Sequence, residues 1–181
     1  MEAMLALLVV AVTPHVRPMD AMAQAAFDRG RSRSPTFARL VQELERSRVI
    51  VYVETSLRLP AAFGGQFFFV TEAADGSRYL RIRLNARAGA VDLTARLGHE
   101  LQHAAEVSRG AVTDTASMAR LYRAIGEELD PKVFDTSAAR AVEARVTAEL
   151  FDRRASARTS RCEWSGPHGA WAGGGLDVLL R

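Results

Sequence analysis

The spacing of apolar residues changes period along the chain, and each change marks an element. Asp20 to Arg29 carries Ala and Met spaced around a helix, and Gly30 to Ser34 reads as a linker. Ser34-Pro35-Thr36 opens a second helix: proline is tolerated at the first helical position, and a serine before it can cap. Phe37, Leu40, Val41 and Leu44 give that helix an apolar face. The period then drops to two. Val49 to Val53 is β-branched and aromatic, Gln66 to Thr71 is a second strand, and Arg78 to Leu84 alternates Leu80, Ile82 and Leu84 with Arg81 and Arg83. Leu57 to Gly65 is a loop broken by Pro60 and the pair Gly64-Gly65, and Asp75-Gly76 is a hairpin turn between the last two strands. Helical spacing returns from Val91 to about Ser108, closed by Gly110. It returns again over Thr113–Ile125, with Met118, Leu121 and Tyr122 as packing residues, and over Asp135–Phe151, with Phe134, Ala138, Val142 and Val146 on one side; Gly126 to Pro131 reads as a loop. These elements predict an α+β fold, a small antiparallel three-stranded sheet packed on helices.

The two ends differ from this middle. Ala3 to Val12 is a short apolar run, below the about 20 residues a membrane-spanning helix needs, so no transmembrane span is expected. It has the length of a signal-peptide core, with Ala21-Met22-Ala23 as a small-residue cleavage site, although no basic residue precedes it. Residues 1–23 are therefore read as an export signal or N-terminal hydrophobic segment, with an extracytoplasmic location as the expectation and a buried strand or helix as the alternative. Residues 24–152 form a single domain, and 153–181, rich in Arg, Ser and Gly with Trp164 and Trp171, an irregular tail.

Composition narrows the function. Of the 24 basic residues only Lys132 is lysine, and because the arginines run through the whole chain they do not mark a phosphate-binding surface. No compact basic cluster interleaved with aromatics occurs, so a nucleic-acid partner is not expected. Cys162 is the sole cysteine, which excludes both an internal disulfide and a cysteine zinc cluster.

The chemistry gathers in LGHELQHAAEV, Leu97 to Val107, which contains His99-Glu100-Leu101-Gln102-His103. Helical positions four apart are separated by about 40° of rotation and about 6 Å of rise. His99 and His103 thus project from one face, one turn apart, as two imidazole ligands of one metal ion would. Glu100 points beside that position, where a carboxylate can take a proton from an activated water. Leu93, Leu97, Leu101 and Ala105 form a separate apolar stripe, which leaves the histidines free for other work. Spacing alone indicates a borderline transition metal rather than a particular one.

On these residues the chain resembles the zincin metallopeptidases. The resemblance implies zinc, a motif helix beneath a small sheet, and a peptide or protein substrate held extended along the sheet's edge strand. A metzincin would carry histidine at position 109 and glycine at 106; this chain has Arg109 and Glu106. In gluzincins the third ligand is a glutamate on a later helix, often as E-x-x-A-D, and Asp135-Thr136-Ser137-Ala138-Ala139 is similar, with Asp135 in the ligand position. It departs from that pattern in having aspartate for glutamate, and Ala139 where an aspartate often supports a ligand histidine. Glu143 and Glu106 remain rival ligands, and Glu106 otherwise orients a histidine or pairs with an arginine. His15 and His168 lie in the terminal segments. The resemblance therefore implies a zinc peptidase in which His99, His103 and Asp135 hold Zn2+ and Glu100 is the general base. The alternative is a catalytically degenerate metal-binding or interaction protein on the same scaffold.

Overall fold

The computed structural model describes residues 13–60, 63–130 and 133–152. The apolar run 3–12 and the tail 153–181 lie outside the described residues. The element order is β1 (Val16–Pro18), α1 (Ala21–Arg33), α2 (Pro35–Glu45), β2 (Val49–Ser56), β3 (Gly65–Glu72), β4 (Arg78–Asn85), α3 (Ala90–Arg109), α4 (Thr115–Ile125), β5 (Glu127–Asp130), β6 (Val133–Asp135) and α5 (Ser137–Phe151).

The fold is mixed α/β, and the sheet differs from the three antiparallel strands expected. It has four strands in the order β1-β2-β4-β3, and a second sheet pairs β5 with β6. Within the four-stranded sheet β3 and β4 are antiparallel while β1–β2 and β2–β4 run parallel; β5 and β6 are antiparallel. The reason is burial. Leu80, Ile82 and Leu84 of β4 are fully buried, so β4 takes an inner position. β3, with Phe68 and Val70 exposed, goes to the edge. The chain leaving β2 therefore crosses the end of the sheet through the loop after Ser56, runs back along the edge and re-enters beside β2. The added strand β1 lies within the stretch read from sequence as the leading segment, and there His15 Nδ1 lies 2.9 Å from the Leu44 carbonyl oxygen.

Two further elements depart from expectation. Residues Gly30 to Arg33 continue α1 rather than forming a linker, because Gly30 is where α1 meets the Phe37 ring; Ser34 closes α1 and caps α2 with its side chain on the Phe37 N–H. The stretch from Gly126 to Pro131, read as a loop, contains β5, and Asp135 ends β6 instead of starting the last helix.

α3 is the centre of the molecule. It packs against α1, α2 and α5 and under the sheet. From Leu93 to Val107 every residue except Arg96 is buried. Its C-terminal carbonyls, which have no partner within a helix, are met from the sheet: the Arg78 guanidinium donates to the Val107 and Gly110 oxygens at 2.8 Å each and to Ser108 at 3.1 Å. That clamp fixes the motif helix against β4. No described helix is long and apolar enough to cross a membrane.

Candidate metal centre

His99 and His103 face each other one turn apart on α3, with ring centroids 4.9 Å apart and planes at 77°. Asp135 reaches them from the end of β6. Its Oδ1 lies 3.3 Å from His99 Nε2 and 3.7 Å from His103 Nε2, and one donor atom from each of the three residues lies within 4.8 Å of the others. Two ligands bound tetrahedrally at about 2.0–2.1 Å sit about 3.4 Å apart, so the spacing fits a shared ion. Arriving on a strand end, and not on the helix as the sequence match supposed, the shorter aspartate side chain still closes the distance.

The outer ring nitrogens settle which electron pairs face inward. Glu143 Oε2 lies 2.9 Å from His99 Nδ1, and Glu106 Oε2 lies 3.0 Å from His103 Nδ1. Both glutamates are held below the ordinary carboxylate range. For Glu143 the His99 hydrogen bond is the chief cause, helped by the Arg96 charge; for Glu106 burial opposes, and is outweighed by hydrogen bonds from His103, Thr136 and Gln102. A carboxylate only accepts, so each Nδ1 carries the hydrogen. In the neutral ring each Nε2 is then a bare lone pair aimed at Asp135 Oδ1. Three electron-pair donors with no hydrogen between them are what a cation requires. Positive charge is favoured here in any case: burial weighs against protonation of His103, yet the Glu106 hydrogen bond and the charges of Glu100, Glu106 and Asp135 raise its pKa.

Glu143 and Glu106, weighed from sequence as ligands, thus stand behind the histidines and outside the donor group. Each is fixed in turn. Glu143 Oε1 pairs with Arg96 at 3.0 Å, and Glu106 Oε1 accepts from Thr136 Oγ1 at 2.8 Å and Gln102 Nε2 at 3.3 Å. Asp135 is held too, Oδ1 by the Thr136 N–H at 2.7 Å and Oδ2 by Arg140 at 3.5 Å.

Glu100 is buried beside this cluster, and burial pushes its carboxyl above the ordinary range against the opposing charges of His103, His99 and Arg96. Gly65 at the start of β3 makes room for it: a Cβ there would collide with Glu100 Oε1. The Tyr122 hydroxyl donates to the His103 carbonyl oxygen at 3.1 Å, and burial raises its pKa.

His99, Glu100, His103 and Asp135 line a cleft of about 530 Å³. Also lining it are Gly64 and the start of the edge strand, Gly65 to Phe68, together with Met118, Leu129, Val133 and Phe134. Arg96, Thr136 and the fit of Gly65 against Glu100 were not legible in the sequence, where the pair Gly64-Gly65 showed only as a break in the loop. Comparisons of the chain with family models, with curated proteins and with solved structures find no match.

Proposed function

We propose that this chain is a metal-dependent hydrolase, a zincin-like peptidase with zinc held by His99, His103 and Asp135. The observation that carries the reading is the convergence of two imidazole nitrogens and one carboxylate oxygen on a single point beside a buried glutamate. The nitrogen ligands favour zinc over magnesium or calcium, and three protein donors leave a coordination position open, as catalytic sites do. The carboxylate that a gluzincin would place at position 139 is replaced here by Glu143, one turn further along α5, which bonds His99.

A zinc ion so held would polarise the substrate carbonyl and bring a water's pKa down to about 7. The protein's own groups do the rest. Glu100, whose burial already raises its proton affinity, takes the proton as the water oxygen attacks the carbonyl carbon. It returns that proton to the amide nitrogen as the carbon–nitrogen bond breaks. Glu143 and Glu106 keep both Nε2 atoms aimed inward throughout. The substrate lies along β3, the terminal strand of the sheet, whose outer edge pairs with no described strand. An extended peptide can add there as a fifth strand, and its scissile bond would then lie above Glu100.

The test is hydrolysis of an unstructured protein such as casein by the zinc-loaded chain, compared with Glu100→Gln. The expected result is zinc bound by both and cleavage by the wild type alone. Zinc bound by both with no cleavage over a broad peptide panel supports the binding-protein alternative. No zinc bound by the wild type refutes the metal centre.

A further inference from the structure

Thr136 stands between the strand that delivers Asp135 and the helix that delivers Glu143, and its hydroxyl is buried. That one oxygen makes two hydrogen bonds of opposite sense. It accepts from the Ala139 N–H at 3.1 Å, capping α5, and it donates to Glu106 Oε1 at 2.8 Å. Glu106 in turn holds His103 Nδ1. The Thr136 backbone N–H meanwhile bonds Asp135 Oδ1 at 2.7 Å.

We propose that Thr136 is a positioning residue of the metal centre, tying the carboxylate of Asp135 and the imidazole of His103 to one rigid point. The role rests on the reading of His99, His103 and Asp135 as metal ligands. Capping alone does not account for the residue. Aspartate caps a helix as well as threonine does, yet here it would set a second carboxylate against buried Glu106. A hydroxyl accepts from the helix and donates to a carboxylate through the same atom. Without it, Glu106 Oε1 keeps only the longer bond from Gln102. The carboxylate is then free to turn, and the His103 ring turns with it. The first turn of α5 loosens at the same moment, directly behind Asp135.

The test measures zinc affinity of the full metal-free chain by competition with a chromophoric chelator, alongside the visible spectrum of the cobalt(II) form. Thr136→Ser keeps both bonds and should match the wild type within threefold. Thr136→Val loses both and should bind zinc about tenfold more weakly or worse, with altered cobalt bands. Asp20→Ala removes the cap of α1, none of whose residues lines the cleft; it should lower stability and leave zinc affinity unchanged, which separates positioning from mere loss of a cap. If Thr136→Val does not fold, Glu106→Gln leaves the α5 cap in place but offers one acceptor oxygen where the Thr136 hydroxyl and His103 Nδ1 each have their own, so one bond of the link is lost and zinc binding should weaken to a similar degree. Wild-type affinity in Thr136→Val, or in Glu106→Gln where that variant stands in, overturns the role alone. A wild type that takes up no zinc overturns the metal centre and this role with it.

Discussion

Replacing Gly30 by alanine pits two known effects against each other. Gly30 lies inside α1, where alanine is the better helix former by about 1 kcal/mol, so propensity alone predicts stabilisation. The structure predicts the reverse. A Cβ on Gly30 would lie 2.7 Å from Phe37 Cδ2, 2.7 Å from Cγ and 2.8 Å from Cδ1, against a ring that is itself fully buried. The ring cannot retreat. The Phe27 ring meets it edge-on at 6.1 Å, and α3 closes on it at Gly98, where an added Cβ would lie 3.6 Å from Phe37 Cδ2. Overpacking a core costs about 1–3 kcal/mol, and three simultaneous contacts on one rigid ring place this case at the upper end. Subtracting the propensity gain leaves a net loss of about 2 kcal/mol. For a chain of this size that is a fall of about 4–8 °C in melting temperature. Thermal and urea unfolding measure it directly. Shrinking the ring in the double variant Gly30→Ala/Phe37→Leu should recover part of the loss, giving a positive coupling in a double-mutant cycle. A Gly30→Ala protein as stable as the wild type, or more so, refutes the close-contact argument.

Three other expectations follow from the site and its supports. Free zinc at about a thousand times its Kd should stabilise the chain by about 4 kcal/mol, a rise of about 8–16 °C by differential scanning fluorimetry; Asp135→Asn should lose most of that rise, and an undiminished rise would exclude Asp135 as a ligand. Gly65→Ala forces Glu100 aside, so cleavage should fall about a hundredfold, the cost of an ångström's misplacement, while zinc content stays unchanged; zinc loss would show that the glycine serves the fold instead. Glu149 ties α5 to the start of α2 through Ser34 and Thr36. Burial opposes its charge, and those hydrogen bonds outweigh it and hold its pKa below the ordinary 4.5. A lowered folded-state pKa adds stability above the unfolded value, lost as the pH falls through the folded one. Glu149→Gln should therefore lower the urea midpoint at pH about 7, and that deficit should shrink as the pH falls below 4.5; a deficit that does not change with pH would show that the charge plays no part.

What could be read from the sequence was local. The alternation of Leu80, Ile82 and Leu84, the Ser34-Pro35 start of α2 and the motif helix all depend on residues a few positions apart, and the structure has each of them. What could not be read was set at a distance. That β4 pairs with β2 in parallel goes with burying Leu80, Ile82 and Leu84 on an inner strand, and their alternation alone does not say which strand lies inside. β5 and β6 carry Glu127-Glu128-Leu129-Asp130 and Val133-Phe134-Asp135, too short and too polar to show a strand period. Gly30 looked like a break because its neighbour, Phe37, is met only in the folded chain. The two histidines were legible because one helix fixes their spacing. The division of labour among Asp135, Glu106 and Glu143 was not, since His99 and Glu143 are separated by 44 positions and three acids competed for the same assignment.

The open border of the sheet has a further effect at high concentration. Strand β3 slips register between Phe69 and Thr71, which spoils its far half as a template for another strand, whereas the stretch from Gly65 to Phe69 pairs regularly with β4. That regular stretch carries the exposed Phe68 and has no described strand on its outer side, which makes it a template for a strand of another chain. Two molecules meeting there would cover each other's clefts. On the peptidase reading, self-association and occupancy of the groove would exclude each other, and turnover per molecule should decline as the solution becomes more crowded with the protein itself.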